Sequence, residues 1–160
     1  MKDLALTLSI AFFVATATEA APVIFIVRHA EKAPTGGNDP DLSVTGQERA
    51  EALARIFKDS QITAVFVTEL KRTQETAAPT TKAAHVNPTV VPGNDVAGLA
   101  AKVRALNGNA LVVGHGNTIP DLIKALGITT PISIPDSDYT EIFLVSLRDP
   151  PELLRLHYPF

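Results

Sequence analysis

Apolar residues along the chain fall into short runs separated by polar or amphipathic stretches. Residues 23–27, Val-Ile-Phe-Ile-Val, are apolar without interruption and mostly β-branched, the pattern of a strand covered on both faces in a parallel sheet. A polar loop with Pro34, Gly36, Gly37 and Pro40 follows. Thr45-Gly46-Gln47-Glu48 then has capping-box spacing, and Ala50, Leu53, Ala54 and Phe57 recur at helical spacing, which predicts an amphipathic helix ending near Lys58. Residues 62–67 predict a second strand, and 69–84 a second helix interrupted or kinked at Pro79. Residues 86–91 form a short strand candidate broken by Asn87-Pro88. Asp95 stands where a side chain caps a third helix running through Leu99, Val103 and Leu106, with Asn107-Gly108-Asn109 to end it. Residues 110–113 are another buried strand. A fourth helix opens at Asn117-Thr118-Ile119-Pro120, capped by Thr118 or Asn117. Residues 141–147 and 153–157 close the chain as two strands. Strands that alternate with helices predict one α/β domain, a three-layer sandwich around a mostly parallel central sheet.

The amino terminus stands apart from this alternation. Met1-Lys2-Asp3 carries an early cation, residues 4–14 are almost wholly apolar, and residues 15–21 are rich in Ala and Thr. That is the three-part form of a secretory signal peptide with Thr18 and Ala20 before the cut, and the apolar run is too short to span a bilayer. The expected organisation is a signal peptide over 1–20 and one domain over 21–160, in a periplasmic or secreted protein whose mature chain has no membrane span. A chain of 160 residues with 46% hydrophobic and 19% charged residues is in the range of ordinary globular domains, which excludes collagen-like, coiled-coil and disordered classes. A net charge of −3 gives no support to a nucleic-acid partner. Any anion site must be built locally from a few cations.

In open α/β sheets ligands bind outside the carboxyl ends of the strands. There the first strand leaves Arg28-His29, the second leaves Thr68 with Arg72 in the next helical turn, and residues 110–113 lead into Gly114-His115-Gly116. Two guanidiniums and two imidazoles therefore converge on one edge. Guanidinium forks bind phosphate oxygens bidentately, helix N-termini add N–H donors, and glycines let backbone and ligand approach closely. A neutral imidazole in such a pocket is a competent nucleophile towards phosphorus.

Four motifs occur in order: Val27-Arg28-His29-Ala30-Glu31, Leu42-Ser43 followed by Gly46, Leu70-Lys71-Arg72-Thr73 with Thr76-Ala77, and Val113-Gly114-His115-Gly116. Together they resemble the histidine phosphatases of the phosphoglycerate-mutase-like superfamily, over roughly residues 23–127. The resemblance implies that His29 is phosphorylated during turnover, that Arg28 and Arg72 hold the phosphoryl oxygens, that His115 donates to the same group, and that neither metal nor other cofactor is needed. Many members carry an Asn six residues after the nucleophilic histidine. Here that place is Thr35, with Asn38 or Asn117 as replacement phosphate contacts. The general acid in many relatives is a carboxylate between the arginine helix and the second histidine. Asp95 is the first candidate here, equally suited to capping, and Glu31 is the alternative. Lys71 and Arg72 could instead form one solvated helix face with Glu75, while His85 and His157 lie away from the predicted edge.

No inserted cap domain separates these motifs, so short loops over 32–42 and 128–140 must form the substrate walls. The expected activity is metal-independent hydrolysis of a phosphomonoester on a small molecule, a sugar phosphate or a phosphoprotein. The compact size is similar to the protein-phosphohistidine phosphatases, and export is similar to periplasmic phosphatases acting on sugar phosphates. Two other classes remain: a phospho-ligand binding module without turnover, and a metal hydrolase using His29, His115 and Asp95, for which no recognised ligand spacing exists.

Overall fold

The computed structural model describes residues 20–159; residues 1–19 of the expected signal peptide lie outside them. Its elements are β1 (Val23–Arg28), α1 (Val44–Ile56), β2 (Ile62–Val67), α2 (Lys71–Ala84), β3 (Thr89–Val90), α3 (Val96–Arg104), β4 (Asn109–Gly114), α4 (Ile119–Ala125), β5 (Glu141–Ser146) and β6 (Glu152–His157). The strands form one sheet in the order β3-β2-β4-β1-β5-β6. β1 pairs parallel with β4, β4 with β2, and β2 with β3. β5 and β6 extend the sheet antiparallel on the other side of β1. The mostly parallel α/β fold is therefore present. No helix among the described residues is long and apolar enough to cross a membrane.

Uninterrupted apolar runs occur because both faces of the central strands are covered. On one face Ile24 and Ile26 of β1, Val112 of β4 and Phe143 of β5 pack with Val103, Ile119, Leu122 and Ile123 from α3 and α4. On the other, Val27, Val65, Val67, Leu111 and Val113 pack with Leu53 and Ala77 from α1 and α2. Each aliphatic side chain fully buried in this way contributes about 1.5–3 kcal/mol of transfer free energy. These alternating faces hold the parallel strands β1, β4 and β2 so that their carboxyl ends open on one edge.

Local chemistry corrects several expected boundaries. Ser43, not Thr45, caps α1: its Oγ accepts the Gly46 amide at 3.0 Å, so the helix begins at Val44. α2 begins at Lys71 rather than Glu69 and carries Pro79 inside it, with His85 in the left-handed region closing its end. The strand expected over 86–91 contracts to Thr89–Val90. Thr118 is the residue before α4, without a side-chain cap bond.

Candidate active site

The parallel register of β1 and β4 brings the two site histidines together. Val27 stands beside Val113 and Arg28 beside Gly114, so the next residues, His29 and His115, leave adjacent strands side by side. The His29 amide continues the ladder onto the Gly114 carbonyl at 2.9 Å. Both imidazoles are buried, and their ring centroids are 5.4 Å apart in an edge-on arrangement. A Cβ on Gly114 would press to 3.2 Å from Ile119, whereas one on Gly116 would meet Arg28 at an ordinary 3.5 Å.

The protonation of His29 follows from its surroundings. Its Nδ1 lies 2.8 Å from the Ala30 carbonyl, which only accepts, so Nδ1 carries the proton and Nε2 keeps its lone pair. Burial lowers the His29 pKa from 6.5 to about 4; the Ala30 carbonyl opposes this, while His115, Arg72 and Arg28 add to it. At neutral pH His29 is an uncharged imidazole with a bare nitrogen. The His115 pKa is lowered as well, first by burial and then by Arg72, with Glu69 partly opposing. Thr68 Oγ1 lies 3.2 Å from His115 Nε2.

Arg28 and Arg72 are largely buried, with side chains 11% and 15% exposed. Arg28 Nη1 donates to the carbonyls of Pro135, Asp136 and Asp138 at 3.0, 2.8 and 3.1 Å. Arg72 Nη1 stands 3.8 Å from Asp39. Three buried nitrogens of the site residues have no hydrogen-bond partner in the protein: Arg28 Nε, Arg72 Nε and His115 Nδ1. The two guanidinium nitrogens are donors, and buried donors without partners are costly; guanidinium edges of this kind suit an oxyanion. The α2 turn that carries Arg72 is stitched in place by buried threonines. Thr73 Oγ1 accepts the Thr68 amide at 3.0 Å, while Thr76 Oγ1 accepts the Ala30 amide at 2.9 Å and donates to the Arg72 carbonyl.

The carboxylates around the site are committed elsewhere. Asp95 caps α3, its Oδ1 accepting the Gly98 amide at 2.9 Å. Glu31 forms a fork with Arg49, Nη2 to Oε1 at 2.6 Å and Nε to Oε2 at 2.8 Å. Burial alone would raise the Glu31 carboxyl, but the Arg49 fork outweighs it and holds the group below its usual range. Thr35, Asn38 and Asn117 are all exposed. Among the described residues, the three-residue group with metal-ligand spacing is Asp138, Glu141 and His157, which contains neither site histidine.

Two contributors carry no sequence signal of their own. Glu69, inside the expected helix, sits instead in the turn before α2, where its Oε2 accepts the Gly93 amide at 2.9 Å. Its own amide and that of Gly93 hold its carboxyl low, so it stays a carboxylate facing His115. Tyr139 lies on the expected substrate-wall loop, its ring 4.4 Å from the Arg28 guanidinium carbon and 6.2 Å from the His29 ring.

Residues 24–93 match the family described as the histidine phosphatase superfamily (branch 1). The match spans less than half of the 160 residues and makes that segment similar to the superfamily. His115 lies beyond the matched segment, and the fold supplies it. No curated protein matches the chain by sequence. Among solved structures, it is similar to the protein histidine phosphatase SixA complexed with tungstate, at 21% identity and a TM-score of 0.70, covering 84% of this chain and 96% of that one. A candidate alpha-ribazole-5'-P phosphatase from Escherichia coli is similar at 17% identity and a TM-score of 0.71, over 86% and 98% of the two chains. A mycobacterial glucosyl-3-phosphoglycerate phosphatase with inorganic phosphate is similar at 16% identity and a TM-score of 0.66, over 86% and 97%. These likenesses show the phosphoglycerate-mutase-like fold.

Proposed function

We propose that this chain is a histidine phosphatase of that superfamily, metal-independent and working through a phosphohistidine on His29. The observation that carries the proposal is the tautomer of His29: Nδ1–H on the Ala30 carbonyl leaves a neutral Nε2 in a site where Arg28 Nε, Arg72 Nε and His115 Nδ1 have no protein partner. Nε2 attacks phosphorus, and the bond from phosphorus to the leaving group breaks with its electron pair going to that group. Arg28, Arg72 and His115 balance the charge on the phosphoryl oxygens, since phosphoryl transfer asks mainly for positioning and electrostatic stabilisation. Water then attacks the phosphohistidine, the P–N bond breaks, and inorganic phosphate leaves with His29 restored.

The committed carboxylates favour a substrate class. With Asp95 on α3, Glu31 on Arg49 and Glu69 on Gly93, the leaving group departs with little help from a general acid. Substrates whose leaving group is stable or takes its proton from water fit best: a phosphohistidine side chain of a protein, or an aryl phosphate. The likeness to a structure named as a protein histidine phosphatase supports the first of these.

Acid-quench experiments test the proposal. Substrate is mixed with enzyme, denatured within the first turnover, and the adduct mapped by mass spectrometry. A base-stable, acid-labile phosphoryl group on His29, absent from His29→Ala, is the expected result. Phosphate binding with neither adduct nor release would instead mark a non-catalytic phospho-ligand module.

A further inference from the structure

The segment after α4 contributes more to the site than a wall. One nitrogen of Arg28, Nη1, meets three backbone carbonyls, those of Pro135, Asp136 and Asp138. Its two hydrogens are therefore used inside the protein, which fixes rotation of the guanidinium and turns its Nε–Nη2 edge away from those carbonyls, with Nη2 3.9 Å from the Asp136 carboxylate. Nε is the buried nitrogen without a protein partner. The Tyr139 ring covers one face of the same guanidinium with 4.4 Å between ring centroid and Cζ, and its centroid is 6.2 Å from that of His29 at an interplanar angle of 58°. One aromatic ring thus touches both the charge clamp and the nucleophile.

The segment is itself held in place. Asp138 Oδ1 accepts the amide and hydroxyl of Thr140, both at 2.8 Å. Tyr158, buried at the end of the chain, donates its hydroxyl to the Tyr139 carbonyl at 3.1 Å and its amide to the Thr140 carbonyl at 3.0 Å. A surface loop fastened at both sides of one aromatic residue is a support for whatever that residue touches.

We propose that Tyr139 is the positioning residue of this site, its ring fixing the plane of the Arg28 guanidinium and closing one side of His29 while the 135–138 carbonyls hold Arg28 from behind. The proposal rests on the phosphohistidine reading above for its kinetic consequences. A guanidinium free to turn presents two donors to an oxyanion less often, so binding and transfer both weaken. Opening one side of His29 also rehydrates it. The groups that face His29 are Arg28, Arg72 and His115, all of which disfavour its protonation and remain in place, so the rise in its basicity comes from solvent.

The test compares wild type, Tyr139→Phe and Tyr139→Leu by phosphate release from an aryl phosphate between pH 4 and 8, with inorganic phosphate binding measured by calorimetry. Tyr139→Phe keeps the ring and is expected within about twofold of wild type. Tyr139→Leu is expected to lose about tenfold in kcat/KM and in phosphate affinity, the scale of one partly desolvated cation–π contact, and to move the acid limb of the pH profile upward. Tyr139→Met serves if circular dichroism shows the Leu variant unfolded. An active wild type with Leu and Met variants unchanged in rate, acid limb and phosphate affinity overturns the positioning role. An equal loss in Tyr139→Phe overturns it too, by assigning the effect to the hydroxyl. A wild type that binds phosphate without releasing it from substrate overturns the phosphohistidine reading alone, and the calorimetric comparison then still decides the role of Tyr139.

Discussion

His29 shows how a single backbone carbonyl can choose the chemistry of a side chain. The Ala30 carbonyl accepts one proton and so exposes the other nitrogen, while burial keeps the ring neutral at a pKa of about 4. The same shift makes a prediction about stability. Because the folded ring protonates at about 4 and an ordinary histidine at 6.5, the unfolded chain binds the extra proton first as pH falls. Stability contributed by this residue is therefore intact above pH 6.5, declines as pH falls through the window, and is lost below about 4. The full effect is about 3 kcal/mol. Thermal melts of wild type and His29→Asn from pH 7 to 4 check it: wild type is expected to lose stability over this window by about that much more than the variant. Arg28, His29 and His115 were legible as a candidate set because strand ends expose them. Which nitrogen of His29 is bare was not, because the deciding partner is a carbonyl, and every residue has one.

At the scale of elements, short-range capping moved boundaries by a residue or two and changed what the site contains. Ser43 rather than Thr45 opens α1, and Gly46 is required there, since a Cβ would stand 2.2 Å from the Glu31 carbonyl oxygen. The start of α2 at Lys71 leaves Glu69 in a turn, where it meets Gly93 and His115 instead of solvating a helix. Asp95 tests the same distinction between an element and a site. Asn caps helices about as well as Asp, so Asp95→Asn is expected to hold its melting temperature and to slow aryl and alkyl phosphates equally little. A selective loss on alkyl phosphates would make Asp95 the proton donor. The sequence placed Asp95 before α3 correctly, yet spacing alone could not separate capping from acid catalysis, because both need a carboxylate at that position.

Across the molecule, the decisive contact is between segments 86 residues apart in the chain. The β1–β4 register sets His29 beside His115, and the crossover through α1 to β2 brings Arg72, at the start of α2, to the same edge. An oxyanion bound by Arg28, Arg72 and His115 is favourable only when all three are assembled, so it binds the folded state alone. Inorganic phosphate at about a hundred times its dissociation constant is expected to stabilise wild type by about 2.7 kcal/mol. In Arg72→Ala most of that gain is expected to vanish, measured as the phosphate-dependent shift in melting temperature. An equal shift in both proteins would place the anion elsewhere.

Apolar runs, helical spacing and the order of four short motifs settled the α/β class, the direction of most strands and the edge where cationic and imidazole groups gather. These are properties of residues near one another in the chain, written in periodicities of two and 3.6. The tertiary structure alone decided the tautomer of His29, the capture of Glu31 by Arg49, the place of Glu69 and the seat of Arg28 on the 135–138 carbonyls beneath Tyr139. Each of those depends on a partner distant in the chain or on a backbone group that no side-chain pattern records.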